Sequence, residues 1–126
     1  MTDNSNNGFT LIELLVVMVI IATLLTIAVP RYFHSVEKSK EAVLRQDLSL
    51  MRDAIDKYYG DNSKYPDKLE DLVKKKYLRS IPHDPLTEAA TSWQLVSPPG
   101  PEQGGVFDVR SGASGSGLDG SAYSEW

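Results

Sequence analysis

The sequence predicts an α+β fold: a long amino-terminal helix, with a membrane half and an amphipathic half, packed on a small domain with a short helix and a small antiparallel β-sheet. Three observations predict it. An almost unbroken apolar run extends from Phe9 to Val29. An apolar stripe at helical spacing follows at Leu44, Leu48, Met51, Ile55 and Tyr58, stepping by four, three, four and three. Two short β-prone segments, Trp93–Val96 and Val106–Arg110, flank a loop dense in proline and glycine.

The apolar run is 21 residues long, about 31 Å as a helix and enough to cross a bilayer core of roughly 30 Å. Glu13 lies one turn inside it. A central charge in a span costs roughly 2.5–3.5 kcal/mol, and such a residue is read first as functional. Three readings compete. An ordinary secretory signal could be cut after Thr26-Ile27-Ala28, but Met1–Gly8 has no Lys or Arg and Glu13 would sit in its hydrophobic region. A plain anchor would let Glu13 snorkel to the interface, and would not need it. Cleavage before the run, after Gly8, keeps the span in the mature protein and gives Glu13 a purpose.

The amphipathic stripe continues the helix, so one element is expected from Phe9 to Tyr59. Pro30 removes a hydrogen bond within it, and Gly60-Asp61-Asn62 is the stop signal. Most charged residues from Glu37 to Lys57, among them Glu41 and Arg45, read as its solvated surface. Aromatics Tyr32, Phe33, Tyr58 and Tyr59 read as packing and interface residues. A second helix is expected from Asp67 to about Tyr77, with Leu69, Leu72, Val73 and Tyr77 on its apolar face and Lys74-Lys75-Lys76 in its last turn. The prolines of Ile81-Pro82-His83-Asp84-Pro85 make that stretch an irregular connector. His83 has no third partner beside Asp84, so it reads as a loop histidine rather than an acid–base catalyst. The tail Ser111–Trp126 holds four glycines and five serines, yet carries Tyr123 and Trp126. It reads as a fixed loop whose Trp126 docks on the strands or the long helix.

Composition narrows the function. At 126 residues there is room for one small domain beyond the opening segment. The net charge is −4, with basic residues dispersed among acids, and no nucleic-acid partner is expected. The chain has no cysteine, which removes thiol chemistry and leaves packing or a metal ion to close its loops.

Gly8-Phe9-Thr10-Leu11-Ile12-Glu13 followed by an apolar helix resembles the class III signal of type IV pilins and pseudopilins. The resemblance implies that a prepilin peptidase cuts between Gly8 and Phe9 and methylates the Phe9 amine. It places Glu13 at the family's glutamate and Pro30 at its proline on leaving the membrane. The leader departs from the family in lacking Lys and Arg. Once cut, the Phe9 amine and the Glu13 carboxylate can pair within or between staggered subunits, fixing register in a poorly hydrated setting. A head-to-tail contact that does not close makes a helical filament. Tyr77-Leu78-Arg79-Ser80-Ile81-Pro82-His83-Asp84-Pro85, then Phe107-Asp108-Val109-Arg110-Ser111-Gly112 and Trp126, look like the major pseudopilins of type II secretion, with a weaker match from Leu86 to Gln103. That family binds calcium in its carboxy-terminal loop. The resemblance implies Ser111, Asp119 and the Leu118 carbonyl as candidate ligands, although Ser114 stands where an aspartate is usual. One loop carboxylate is few against calcium's six to eight oxygens, and a metal-free loop held by turn bonds is the alternative.

The resemblance thus implies a leader over 1–8, a membrane and filament-core helix over 9–29, and a periplasmic pilin-like domain over 30–126 closed by the loop 111–126. The expected function is a structural filament subunit of a secretion pseudopilus, not an enzyme. Its expected partners are copies of itself, the prepilin peptidase, the inner-membrane assembly platform, minor pseudopilins and inner-membrane lipid. The alternatives are a type IV pilus subunit, many of which close this region with a disulfide, and a membrane-anchored periplasmic binding module.

Overall fold

A computed structural model describes residues 8–100 and 104–126. Residues 1–7, most of the expected leader, and residues 101–103 of the expected proline-rich loop lie outside the described residues. The chain divides into two compact units, one through Glu37 and one over Lys38–Trp126. Helix α1 covers Leu11–Asn62, with Pro30 inside it, and a short helix α2 covers Leu69–Lys74. Strands β1 (Gln94–Val96) and β2 (Asp108–Arg110) pair antiparallel, with Leu95 opposite Val109. A 3₁₀ turn at Tyr123–Glu125 precedes Trp126. The α+β expectation holds.

In the first unit every described residue from Gly8 to Ser35 is exposed. Within this unit the described apolar run is uncovered, a surface suited to lipid or partner helices. Thr23 and Thr26 would be polar intrusions there. Each hydroxyl instead donates to the carbonyl one turn back, on Val19 at 2.8 Å and on Ala22 at 2.7 Å, which satisfies it within the helix.

In the second unit the stripe read from the sequence is the core. Leu44, Leu48, Met51, Ile55 and Tyr58 of α1 are buried against Leu69 and Leu72 of α2, with Leu78, Trp93, Val106 and Val109. Each such side chain contributes about 1.5–3 kcal/mol by leaving water. Tyr58 packs edge-on against Tyr77, and Tyr59 stacks on Tyr65 at 4.4 Å, so these two aromatics do serve packing.

Element ends moved, for local reasons. α1 runs past Gly60 to Asn62, and the left-handed turn falls on Ser63, at φ 58°. The Asn62 amide donates to the Tyr58 carbonyl at 2.9 Å and caps the last turn, and Tyr77 donates to Asp61 at 2.6 Å. α2 is shorter than the expected Asp67–Tyr77. Asp71 accepts the backbone N–H groups of Asp67 and Lys68, so the helix starts after them. At the other end Lys76 takes a left-handed φ of 66°, and the Tyr77 N–H turns back to the Leu72 carbonyl. Of the lysine triplet only Lys74 is helical.

Candidate functional site

Two places carry the residues singled out by the sequence. The first is the start of α1. Gly8 and Phe9 precede the helix, Phe9 is 83% exposed, and none of the described residues lies near a Cβ built on Gly8. Thr10 sits just before the helix, and its Oγ accepts the Glu13 N–H at 3.1 Å. That is the side-chain cap of a Thr-x-x-Glu start, which satisfies one of the orphan N–H groups of the first turn. The cap fixes the first turn and with it the Cα of Glu13. A carboxylate in the first turn also meets the positive end of the helix dipole. Phe9, Ile12, Val16 and Val17 lie beside Glu13 on an exposed apolar face. Pro30, one residue beyond the apolar run, leaves α1 unbroken.

Thr10 escaped the sequence reading, although the spacing Thr10-Leu11-Ile12-Glu13 was signal enough.

The second place is the carboxy-terminal loop. Trp126 packs against the core, as its position in a glycine-rich tail suggested. Its indole N–H donates to the Ser121 hydroxyl at 2.7 Å, and its ring meets Tyr123 edge-on. The Arg45 guanidinium lies 3.8 Å over the same ring. Arg52 donates to the backbone carbonyls of Val109 and Trp126 and to the Asp108 carboxylate, at 2.7–2.9 Å. One arginine of α1 thus ties strand β2 to the end of the loop.

Two of the three expected calcium ligands, Ser111 and Asp119, are held in other interactions, and Leu118 is tied to the helix through its N–H. Ser111 is buried, and its hydroxyl donates to Asp84 while accepting the Ala113 N–H. Leu118 gives its N–H to Glu41. Asp119 accepts the Ser121 N–H and hydroxyl at 3.0 and 2.6 Å and lies 3.5 Å from Arg45. Those Ser121 bonds, followed by the Arg45 charge, hold its carboxyl below the usual carboxylate range. Among the described residues no three of His, Cys, Asp or Glu are grouped to hold a metal. One exposed carboxylate, already engaged, does not fit an ion that takes six to eight oxygens.

Glu41 and Arg45 were read from sequence as solvated helix surface, and Arg52 was not singled out. Glu41 is in fact buried to 8%, and all three face the loop or strand β2. A buried glutamate one turn before the apolar stripe leaves no pattern that periodicity detects.

Residues 3–29 match the family described as the prokaryotic N-terminal methylation motif. Over 136 aligned residues the chain is 33% identical to the type II secretion system core protein G of Klebsiella michiganensis, covering 95% of this chain and 89% of that protein. The proteins of the same name from Aeromonas hydrophila and Pseudomonas aeruginosa are 31% and 34% identical, over 97% and 91% of this chain and 90% and 89% of their own lengths. No solved structure matches the chain at a significant level.

Proposed function

We propose that this chain, which belongs to the type II secretion system core protein G family, is the structural subunit of a secretion pseudopilus. It acts by assembling rather than by catalysis. The observation that carries the reading is the start of α1, where an exposed Gly8–Phe9 junction, a capped first turn and Glu13 open a helix with an exposed apolar surface.

Prepilin peptidase would cut at that junction and methylate the Phe9 amine, leaving the apolar helix in the inner membrane and residues 30–126 in the periplasm. One carboxylate and one amine per subunit, both poorly hydrated, are costly alone and are satisfied when subunits stack in one register. Filaments would then grow from the inner-membrane assembly platform, with minor pseudopilins as further partners, and push cargo outward. The first test is the mass of the mature chain from its native host. A methylated chain starting at Phe9 is expected; one starting at Met1, or at Val29 after an ordinary signal cut, would refute the processing. The second deletes the gene and measures secretion against twitching and DNA uptake. Loss of secretion alone supports the pseudopilus, whereas loss of motility or uptake would point to a type IV pilus.

A further inference from the structure

We infer that two side chains of α1, Glu41 and Arg45, close the carboxy-terminal loop in place of a bound cation. A cation site needs a loop whose carbonyl and carboxylate oxygens converge on one point. Here the polarity is reversed. The loop turns a backbone donor, the Leu118 N–H, toward the helix, where both Glu41 oxygens accept it at 3.1 and 3.3 Å. The charge facing the loop carboxylate is already a cation, the Arg45 guanidinium 3.5 Å from Asp119. A divalent ion brought to Asp119 would be repelled by that guanidinium and would have to displace Ser121 from the carboxylate.

The two α1 residues stand one turn apart, so they meet consecutive parts of the loop. Glu41 takes the peptide at Leu118, and Arg45 covers the Trp126 ring while reaching Asp119. Gly117 is the residue that lets both in. An added Cβ there would overlap the Trp126 ring and come within 2.9 Å of the Glu41 carboxylate. The loop closes itself around the same point, with the Gly117 N–H on the Ser121 carbonyl at 2.7 Å and the Gly120 N–H on the Gly117 carbonyl at 3.0 Å. Gly120, at φ 88°, takes the left-handed position that this turn requires.

The test uses the full chain in detergent micelles and does not depend on filament assembly. Its melting temperature is measured in millimolar calcium and in chelator, and deuterium exchange is followed in the 111–126 peptide. The wild type is expected to melt at the same temperature in both. Glu41→Gln should speed exchange in the loop peptide roughly tenfold, the factor for losing one charge-assisted bond, without changing exchange in the buried part of α1. Arg45→Met should lower the melting temperature by about 4 °C in either buffer, and Arg45→Lys should recover only part of it, because an ammonium does not stack as a guanidinium does. A wild-type rise of about 10 °C in calcium, of the size expected from a saturated ion and abolished by Asp119→Ala, would overturn the inference. So would loop exchange and melting left unchanged by Glu41→Gln and Arg45→Met.

Discussion

The hydroxyl of Ser111 donates to the fully buried carboxylate of Asp84 at 2.5 Å. The bond joins the end of β2 to the connector that precedes β1, which also meet where Gly112 lies against the Ser92 backbone. Asp84 also accepts the Leu86 N–H at 2.8 Å on its other oxygen, and its backbone pairs with Ala89. A buried carboxylate is tolerated only when donors surround it, and here donors come from both sides. The turn that results carries Glu88 at a left-handed φ of 59°.

Ser111→Ala should therefore cost more than a surface serine would. It leaves one oxygen of a buried carboxylate without a donor, a loss of about 1–3 kcal/mol. Urea unfolding of the detergent-solubilised chain should show a lower midpoint with an unchanged slope. Ser111→Thr keeps the hydroxyl and tests whether the donor, not the shape, is what matters. An alanine variant as stable as the wild type would remove Ser111 from the network.

Asp47 on α1 gives the domain a pH dependence. Partial burial, and after it the negative charge of Asp84, push its carboxyl above the usual range, while His83 opposes them. A raised carboxyl binds more protons folded than unfolded, so its ionisation costs stability that appears as pH rises through the folded value and vanishes below the unfolded one. Asp47→Asn should therefore stabilise the chain at neutral pH by a few tenths of a kcal/mol, the scale of half-exposed charge interactions. The gain should disappear below about pH 4. Melting curves at neutral and acid pH measure both limbs. An equal gain at both would assign the effect to packing instead of charge.

Gly117→Ala tests the close approach at the loop. Its Cβ has no room between the Trp126 ring and Glu41, so one of them must move, at a cost of about 1–3 kcal/mol for overpacking. Gly115→Ala is a useful contrast. Gly115 has open space but sits at φ 96°, so alanine there strains the backbone without touching Trp126. Both should destabilise, but only the Gly117 variant should raise the quenching of Trp126 fluorescence.

The parts of this fold legible in the sequence are those with a period or a stop signal. The stripe from Leu44 to Tyr58 is buried as its spacing required, and the strands lie within one or two residues of the β-prone segments. What escaped was polar and long-range. Glu41 bonds across 77 residues and Arg52 across 74, and a charge on an exposed-looking helix position carries no mark of a loop that will return to it. The bounds of α2 were likewise set by one carboxylate, Asp71, reaching back to two backbone N–H groups, a choice that composition does not record. At the start of α1 Glu13 stood out in the sequence because a charge among apolar residues has to be explained, and the Thr10 cap was missed because it is a local detail within a stronger signal.

Glu13 and Thr10 can be separated by mutation. Glu13→Leu should leave cleavage and membrane insertion intact, since it makes the segment more apolar, while depriving the Phe9 amine of its partner and lowering filament yield sharply. Thr10→Ala keeps the carboxylate but removes the hydroxyl that holds the Glu13 N–H. Loss of such a cap costs about 0.5–2 kcal/mol, and a frayed first turn lets the carboxylate wander from its register. Filament yield should therefore fall less for Thr10→Ala than for Glu13→Leu, and Thr10→Ser, which caps equally well, should restore it. Sheared filaments quantified by immunoblot, beside the processed chain in membranes, distinguish assembly from processing. Wild-type filament yield from Glu13→Leu would rule out the pairing role, and equal loss for Thr10→Ala and Thr10→Ser would show that the threonine acts through something other than its cap.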